Sequence, residues 1–186
     1  MLAVAAMISF TACEKDGAEN KKNEFTVGTS TYEFTHSCCY TDSYVPRDGE
    51  KEYTRYDIYL TNGKYWDNEG EWSDAPVYAT AKMVNLYFLY ADTSTPEVMP
   101  SGTYKYSDEV GHLTFRSGPE YCVDDEWYDF SIEGCPGSNV EITITHISGK
   151  VYEIIFTGGR DENGNAVSGY YKGEVNIFSE NLNNIL

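Results

Sequence analysis

Residues 140–156 read VEITITHISGKVYEIIF. Val140, Ile142 and Ile144 alternate with Glu141, Thr143 and Thr145. Ser148-Gly149-Lys150 then supplies turn residues. In the second arm Tyr152, Ile154 and Phe156 fall on one face, with Val151, Glu153 and Ile155 on the other. Successive side chains of a strand point to opposite faces, so this period of two predicts a pair of antiparallel strands sharing one apolar face. The polar loop 158–165 leads into a third segment of the same kind, carried by Val167, Tyr171, Val175 and Ile177.

The same alternation recurs along the rest of the chain. Phe25-Thr26-Val27 and Tyr32-Glu33-Phe34 flank a turn at Gly28. Tyr56, Ile58 and Leu60 alternate up to Asn62-Gly63, a pair whose tolerance of positive φ predicts a tight hairpin. Val84, Leu86, Phe88 and Tyr90 mark a strand apolar on both faces, hence central. Shorter candidates lie at 102–106, 112–115 and 127–132. No window has helical periodicity, and residues 179–186 offer one weak turn at most. Nine or so strands at this spacing predict a single all-β domain over 24–186. An antiparallel β-sandwich of jelly-roll or Greek-key type is the first expectation, and a lipocalin-like β-barrel is the alternative.

The N-terminus reads differently. Residues 1–12 (MLAVAAMISFTA) carry no charge, and at about 1.5 Å per residue they are too short to span a bilayer as a helix. They match the apolar core of a signal peptide. Phe10-Thr11-Ala12-Cys13 resembles a bacterial lipobox, which implies cleavage before Cys13 and lipidation, typically with palmitate, of that cysteine. Phe10 stands where Leu is usual, and the first Lys is Lys15, so we expect the natural start to lie upstream. Residues 13–23 are polar and aperiodic, a flexible tether. Glu14-Lys15-Asp16 resembles the short export signals that send lipoproteins of Bacteroidetes-type bacteria to the cell exterior.

The body resembles small surface lipoproteins of the same bacteria. The motifs are Phe25-Thr26-Val27-Gly28 with Tyr32, Pro100-Ser101-Gly102-Thr103-Tyr104, and the closing strands with Gly149, Tyr152, Ile154, Phe156, Asp161, Gly164 and Gly173. Gly158-Gly159 departs from that pattern as an insertion, as does Ala166-Val167, where a larger residue is expected. The resemblance implies an all-β, lipid-anchored envelope protein and carries no catalytic residues across. The implied partner at Cys13 is outer-membrane lipid, with the domain placed in the cell envelope, facing either outward or into the periplasm.

Composition narrows the functions. The chain of 186 residues carries 13 Lys and Arg against 30 Asp and Glu, a formal net charge of −17, all of it outside residues 1–12. Such a charge repels phosphate backbones and excludes nucleic-acid binding through a basic groove. At 41% hydrophobic the chain is too rich in core formers for an acidic disordered tail. With Cys13 lipidated, Cys38, Cys39, Cys122 and Cys135 remain, and an exported chain permits disulfides. One or two disulfides are expected, with three full connectivities open. A bond between adjacent Cys38 and Cys39 is strained because their side chains point to opposite faces, and Cys122 with Cys135, which close a short loop, is the preferred pair.

Motifs for chemistry are absent: no G-x-S-x-G, H-E-x-x-H, G-x-G-x-x-G or P-loop, and no cofactor or metal is implied. His36, His112 and His146 lack ligand spacing; His146 continues the apolar face of its strand and reads as a core or strand-end residue. Asp124-Asp125-Glu126 could serve a calcium ion or a glycosidase pair, yet three consecutive acids do not converge on one ion, and a solvated loop is the better reading. Residues 161–165 (DENGN) have the glycine two places early for an EF-hand and read as a hairpin turn.

The aromatics are the best lead, with 17 tyrosines among them. Sugars stack their C–H faces on aromatic rings while Asp, Asn and Glu collect the hydroxyls. Tyr65-Trp66 and Trp72 bracket one acidic turn, and Trp127-Tyr128 adjoins Asp124 and Asp125. Core packing is the bland alternative for any single ring. The leading expectation is a non-catalytic surface binding module, with glycan first and Trp66, Trp72, Trp127, Tyr128, Asp124 and Asp125 as its residues. An assembly component contacting envelope proteins comes second, and a carboxylate-dependent hydrolase third.

Overall fold

The computed structural model describes residues 21–47, 50–66, 70–71, 81–116, 119–130 and 139–179. Thirteen strands and no helix occur among them. The first six are β1 (Glu24–Val27), β2 (Ser30–Glu33), β3 (His36–Tyr44), β4 (Tyr53–Thr61), β5 (Lys82–Ala91) and β6 (Gly102–Tyr106). Then come β7 (Thr114–Phe115), β8 (Glu120–Val123), β9 (Glu126–Asp129), β10 (Glu141–Ser148), β11 (Val151–Arg160), β12 (Ala166–Glu174) and β13 (Asn176–Ser179). The all-β expectation holds, with more and shorter strands than the alternation marks out.

All thirteen join one mixed sheet in the order β13-β3-β4-β5-β7-β6-β10-β11-β12-β1-β2, with the β8–β9 hairpin attached to the first half of β5. Two pairings are parallel, β13 with β3 and β6 with β7. The sheet is curled into a half-barrel, and chain connectivity demands the curl. β2 and β3 lie nine places apart in the order, about 40 Å in a flat sheet at 4.7–4.9 Å per strand. Yet only Phe34 and Thr35 join them, a reach on the order of 10 Å. Their amides bond to both sides, Phe34 N to Asn23 O (2.8 Å) and Thr35 N to Thr61 O (2.7 Å). Val175 alone joins β12 to β13, and Ser37 Oγ donates to Glu174 O at 2.8 Å beside it.

Inside the curl lies one principal core, to which both halves contribute: Phe25, Leu86, Leu89, Tyr104, Phe115 and Phe156 are all 0% exposed. Burial of each such side chain stabilises the fold by roughly 1.5–3 kcal/mol against leaving it in water. The alternation at 140–156 is realised in full: Ile142 faces Phe156 and Ile144 faces Ile154 across β10 and β11. His146 sits at the strand end, stacked on Tyr152 at 4.8 Å.

Three details depart from simple alternation. In β5 the register shifts where Asp57 of β4 opposes Tyr87 and Phe88. Phe88 takes φ +53°, and its N–H donates to Asp57 Oδ1 at 2.8 Å. This bulge restarts the pattern, so Leu86 and Leu89, rather than Leu86 and Phe88, reach the core. Among the described residues β4 is followed by β5 from Lys82, and Asn62-Gly63 is not seen to join two strands as a tight hairpin. Instead Asn62 Oδ1 accepts from the Tyr65 hydroxyl (2.6 Å) and from the Lys82 amide (3.0 Å). Gly158-Gly159, the inserted pair, forms a bulge in β11 opposite β12. Gly158 has φ +77°, and a Cβ on it would stand 2.1 Å from the Asn139 carbonyl oxygen.

Candidate functional site

Three hairpin tips meet at one place on the surface. The first, between β1 and β2, turns at Gly28 (φ +58°) and Thr29. The second, between β8 and β9, turns on Asp124 and Asp125, with φ of +54° and +70°. Two successive positive φ values make the turn whose twist suits a two-residue hairpin, and Asp tolerates that region better than most residues. The third is the loop 161–165 between β11 and β12. Together they enclose an open cleft of about 410 Å³.

The third tip is rigid by its own chemistry. Asp161 is 2% exposed, and its carboxylate accepts four hydrogen bonds. Asn163 N (3.0 Å) and Asn165 N (2.8 Å) reach Oδ1, while Asn165 Nδ2 (2.9 Å) and the Tyr121 hydroxyl (2.8 Å) reach Oδ2. Burial pushes its pKa up, but these donors outweigh burial and hold the carboxyl below the usual carboxylate range. Burial first, and then the Asp161 carboxylate, pushes the Tyr121 phenol up. The motif read as a hairpin turn is therefore a turn wound around its own first residue, and it presents Asn163 and Asn165 to the cleft.

The cleft floor and one wall are aromatic. Tyr121 and Tyr128 face each other across β8 and β9 and stack at 5.0 Å with 19° between planes. Phe25 lies 6.3 Å from Tyr121 and 5.0 Å from Tyr32, which lines the opposite side. Tyr128 is half-buried and its hydroxyl donates to Glu126 Oε2; that bond raises the phenol pKa. Lys82 pairs with Asp124 and lies 5.9 Å from the Tyr32 ring centre.

Of the residues singled out in the sequence, Tyr128 and Asp124 line this cleft. Asp125 is a turn residue beside it. Trp127 is 41% exposed but pairs with Cys122, placing it on the face of β9 opposite Tyr128. Trp66 is 4% exposed and edge-on to His36 at 6.4 Å, so it offers no open ring face to a ligand. Trp72, Cys13 and Cys135 lie outside the described residues. Cys38, Cys39 and Cys122 are buried thiols, and the expected pairing of Cys122 with Cys135 falls partly outside the described residues. The acidic run does not act as one site: Asp124 goes to Lys82, Asp125 to the turn and Glu126 to Tyr128.

Sequence reasoning misses Tyr32, Tyr121, Asn163 and Asn165. Each carries a usable signal, an aromatic or amide beside a turn, but only the sheet order shows that the three turns meet. Set against protein-family models, curated proteins and solved structures, the chain matches none of them.

Proposed function

We propose that this chain is a non-catalytic binding module of the bacterial cell envelope, lipid-anchored in the outer membrane through Cys13 and facing outward, whose three-hairpin cleft takes glycan. The observation that carries the reading is the convergence of tyrosine faces, carboxylates and side-chain amides in one open cleft. Rings such as Tyr128 offer the flat apolar surface that sugar C–H groups cover, while Asp124, Glu126, Asn163 and Asn165 supply acceptors and donors for hydroxyls. The two open carboxylates share one hairpin, and the wall opposite carries amides. That arrangement favours holding a sugar over the paired carboxylates of glycoside hydrolysis.

Glycan-array screening of the purified protein tests this reading directly, with at least one class of oligosaccharide expected to bind and Tyr128→Ala expected to lose that signal. An array blank for the wild-type protein would overturn it. The anchor is tested separately. Metabolic labelling with an alkynyl palmitate analogue should tag the wild-type chain, and Cys13→Ser should remove the tag; a tag that survives places the lipid elsewhere. On architecture, we read the half-barrel as an incompletely closed barrel, nearer the lipocalin-like alternative than the two-sheet sandwich. The two-residue crossing from β2 to β3 supports that reading.

A further inference from the structure

We infer that the three-hairpin cleft selects uncharged glycans and rejects those bearing carboxylate, sulfate or phosphate groups; this rests on the glycan reading above. The charges around the cleft carry the argument. Asp124 and Glu126 line it, and no Lys or Arg does so among the described residues. Beneath them Asp161 is held in its ionised form by four donors. Glu162, exposed on the same tip, adds to the field that raises the Tyr128 phenol. Against these four carboxylates stand Lys82, which pairs with Asp124, and Arg160, whose guanidinium donates to Gly164 O (2.9 Å) on the third tip and does not line the cleft.

Hydrogen-bond chemistry points the same way. An ionised carboxylate only accepts, so a ligand facing Asp124 and Glu126 must present donors there. Sugar hydroxyls and N-acetyl amides do so, and an ionised acid group does not. The amides of Asn163 and Asn165 supply both donors and acceptors to the ligand's far side without adding charge. Like charges brought together at an interface are strongly unfavourable, and the effect weakens as salt shortens the Debye length.

The test uses the purified protein on an array that pairs neutral hexose and N-acetylhexosamine oligomers with uronate and sulfated counterparts of the same linkages. It is read at low and high salt for the wild type, for Asp124→Asn/Glu126→Gln and for Tyr128→Ala. Neutral members are expected to bind, and acidic counterparts to bind at least about tenfold more weakly at low salt. The gap should narrow in high salt and in the double variant. If acidic members bind as well as neutral ones and Tyr128→Ala abolishes both, charge selection is overturned while the glycan reading stands. If nothing binds at all, both fall.

Discussion

Asp161→Ala is expected to cost the fold about 3 kcal/mol or more, one of two large effects that the architecture predicts. The substitution strips four hydrogen bonds at once and leaves the amides of Asn163 and Asn165 and the Tyr121 hydroxyl without their acceptor. Each buried polar group left unsatisfied costs about 1–3 kcal/mol. The loop is not fully enclosed, so water recovers part of that sum for the exposed Asn163 and Asn165. Urea denaturation at neutral pH measures the loss; a change under about 1 kcal/mol would mean that the loop holds its shape without the carboxylate.

The same residue shapes the acid limb of stability. The folded pKa of Asp161 lies below the ordinary aspartate value, which is about 3.9 in an unfolded chain. Stability from this shift is fully present above that value and is lost as pH falls through the folded pKa. Asp161→Asn removes the titration and should flatten this part of the decline between about pH 4 and the folded pKa. An unchanged acid profile would assign the acid sensitivity to other carboxylates.

Gly158→Ala is the second large effect. An L-residue in the left-handed region costs on the order of 1–2 kcal/mol. Here the new methyl would also stand 2.1 Å from a backbone oxygen, which cannot rotate away like a side chain. Opening the bulge would disturb the Asn139 N to Gly158 O bond (2.8 Å) as well. The sum should reach about 3 kcal/mol, with failure to fold as the extreme. Gly164→Ala provides the control, since Gly164 has φ +82° and a Cβ added there would meet nothing within 4 Å. It should show only the conformational penalty, about 1–2 kcal/mol. Equal losses at the two positions would remove the steric part of the account.

These two residues also show what can be read in advance. The alternation at 140–156 translates directly into β10 and β11 because one face is buried, and a one-residue slip would expose the whole apolar set. Gly158-Gly159 stands out as an insertion, but its role as a bulge depends on Asn139, which lies across the sheet and leaves no trace in the local pattern. Phe88 is similar: strand alternation places it inward, and only the Asp57 carboxylate waiting for its amide explains the positive φ. Asn62-Gly63 has turn chemistry, but the Asn62 side chain is used otherwise, its Oδ1 accepting from the Tyr65 hydroxyl and the Lys82 amide.

For the site, adjacency misleads. Trp127 and Tyr128 group together as neighbours in sequence, yet neighbours on a strand face opposite ways. The rings that share the cleft with Tyr128 are Tyr121, seven residues earlier, and Tyr32, whose hairpin is brought near by the pairing of β1 with β12. Asp124 is legible as part of an acidic cluster. Its use, as half of a hairpin turn paired with Lys82, follows from β8 lying against β5.

That opposition between neighbouring residues gives the most direct test of the central claim. Titration calorimetry with a glycan selected on the array should show Tyr128→Ala binding at least about tenfold more weakly than wild type. Trp127→Ala, one residue away on the other face of β9, should bind as wild type does. Binding lost in Trp127→Ala and kept in Tyr128→Ala would contradict the account and move the site to the opposite face of the hairpin.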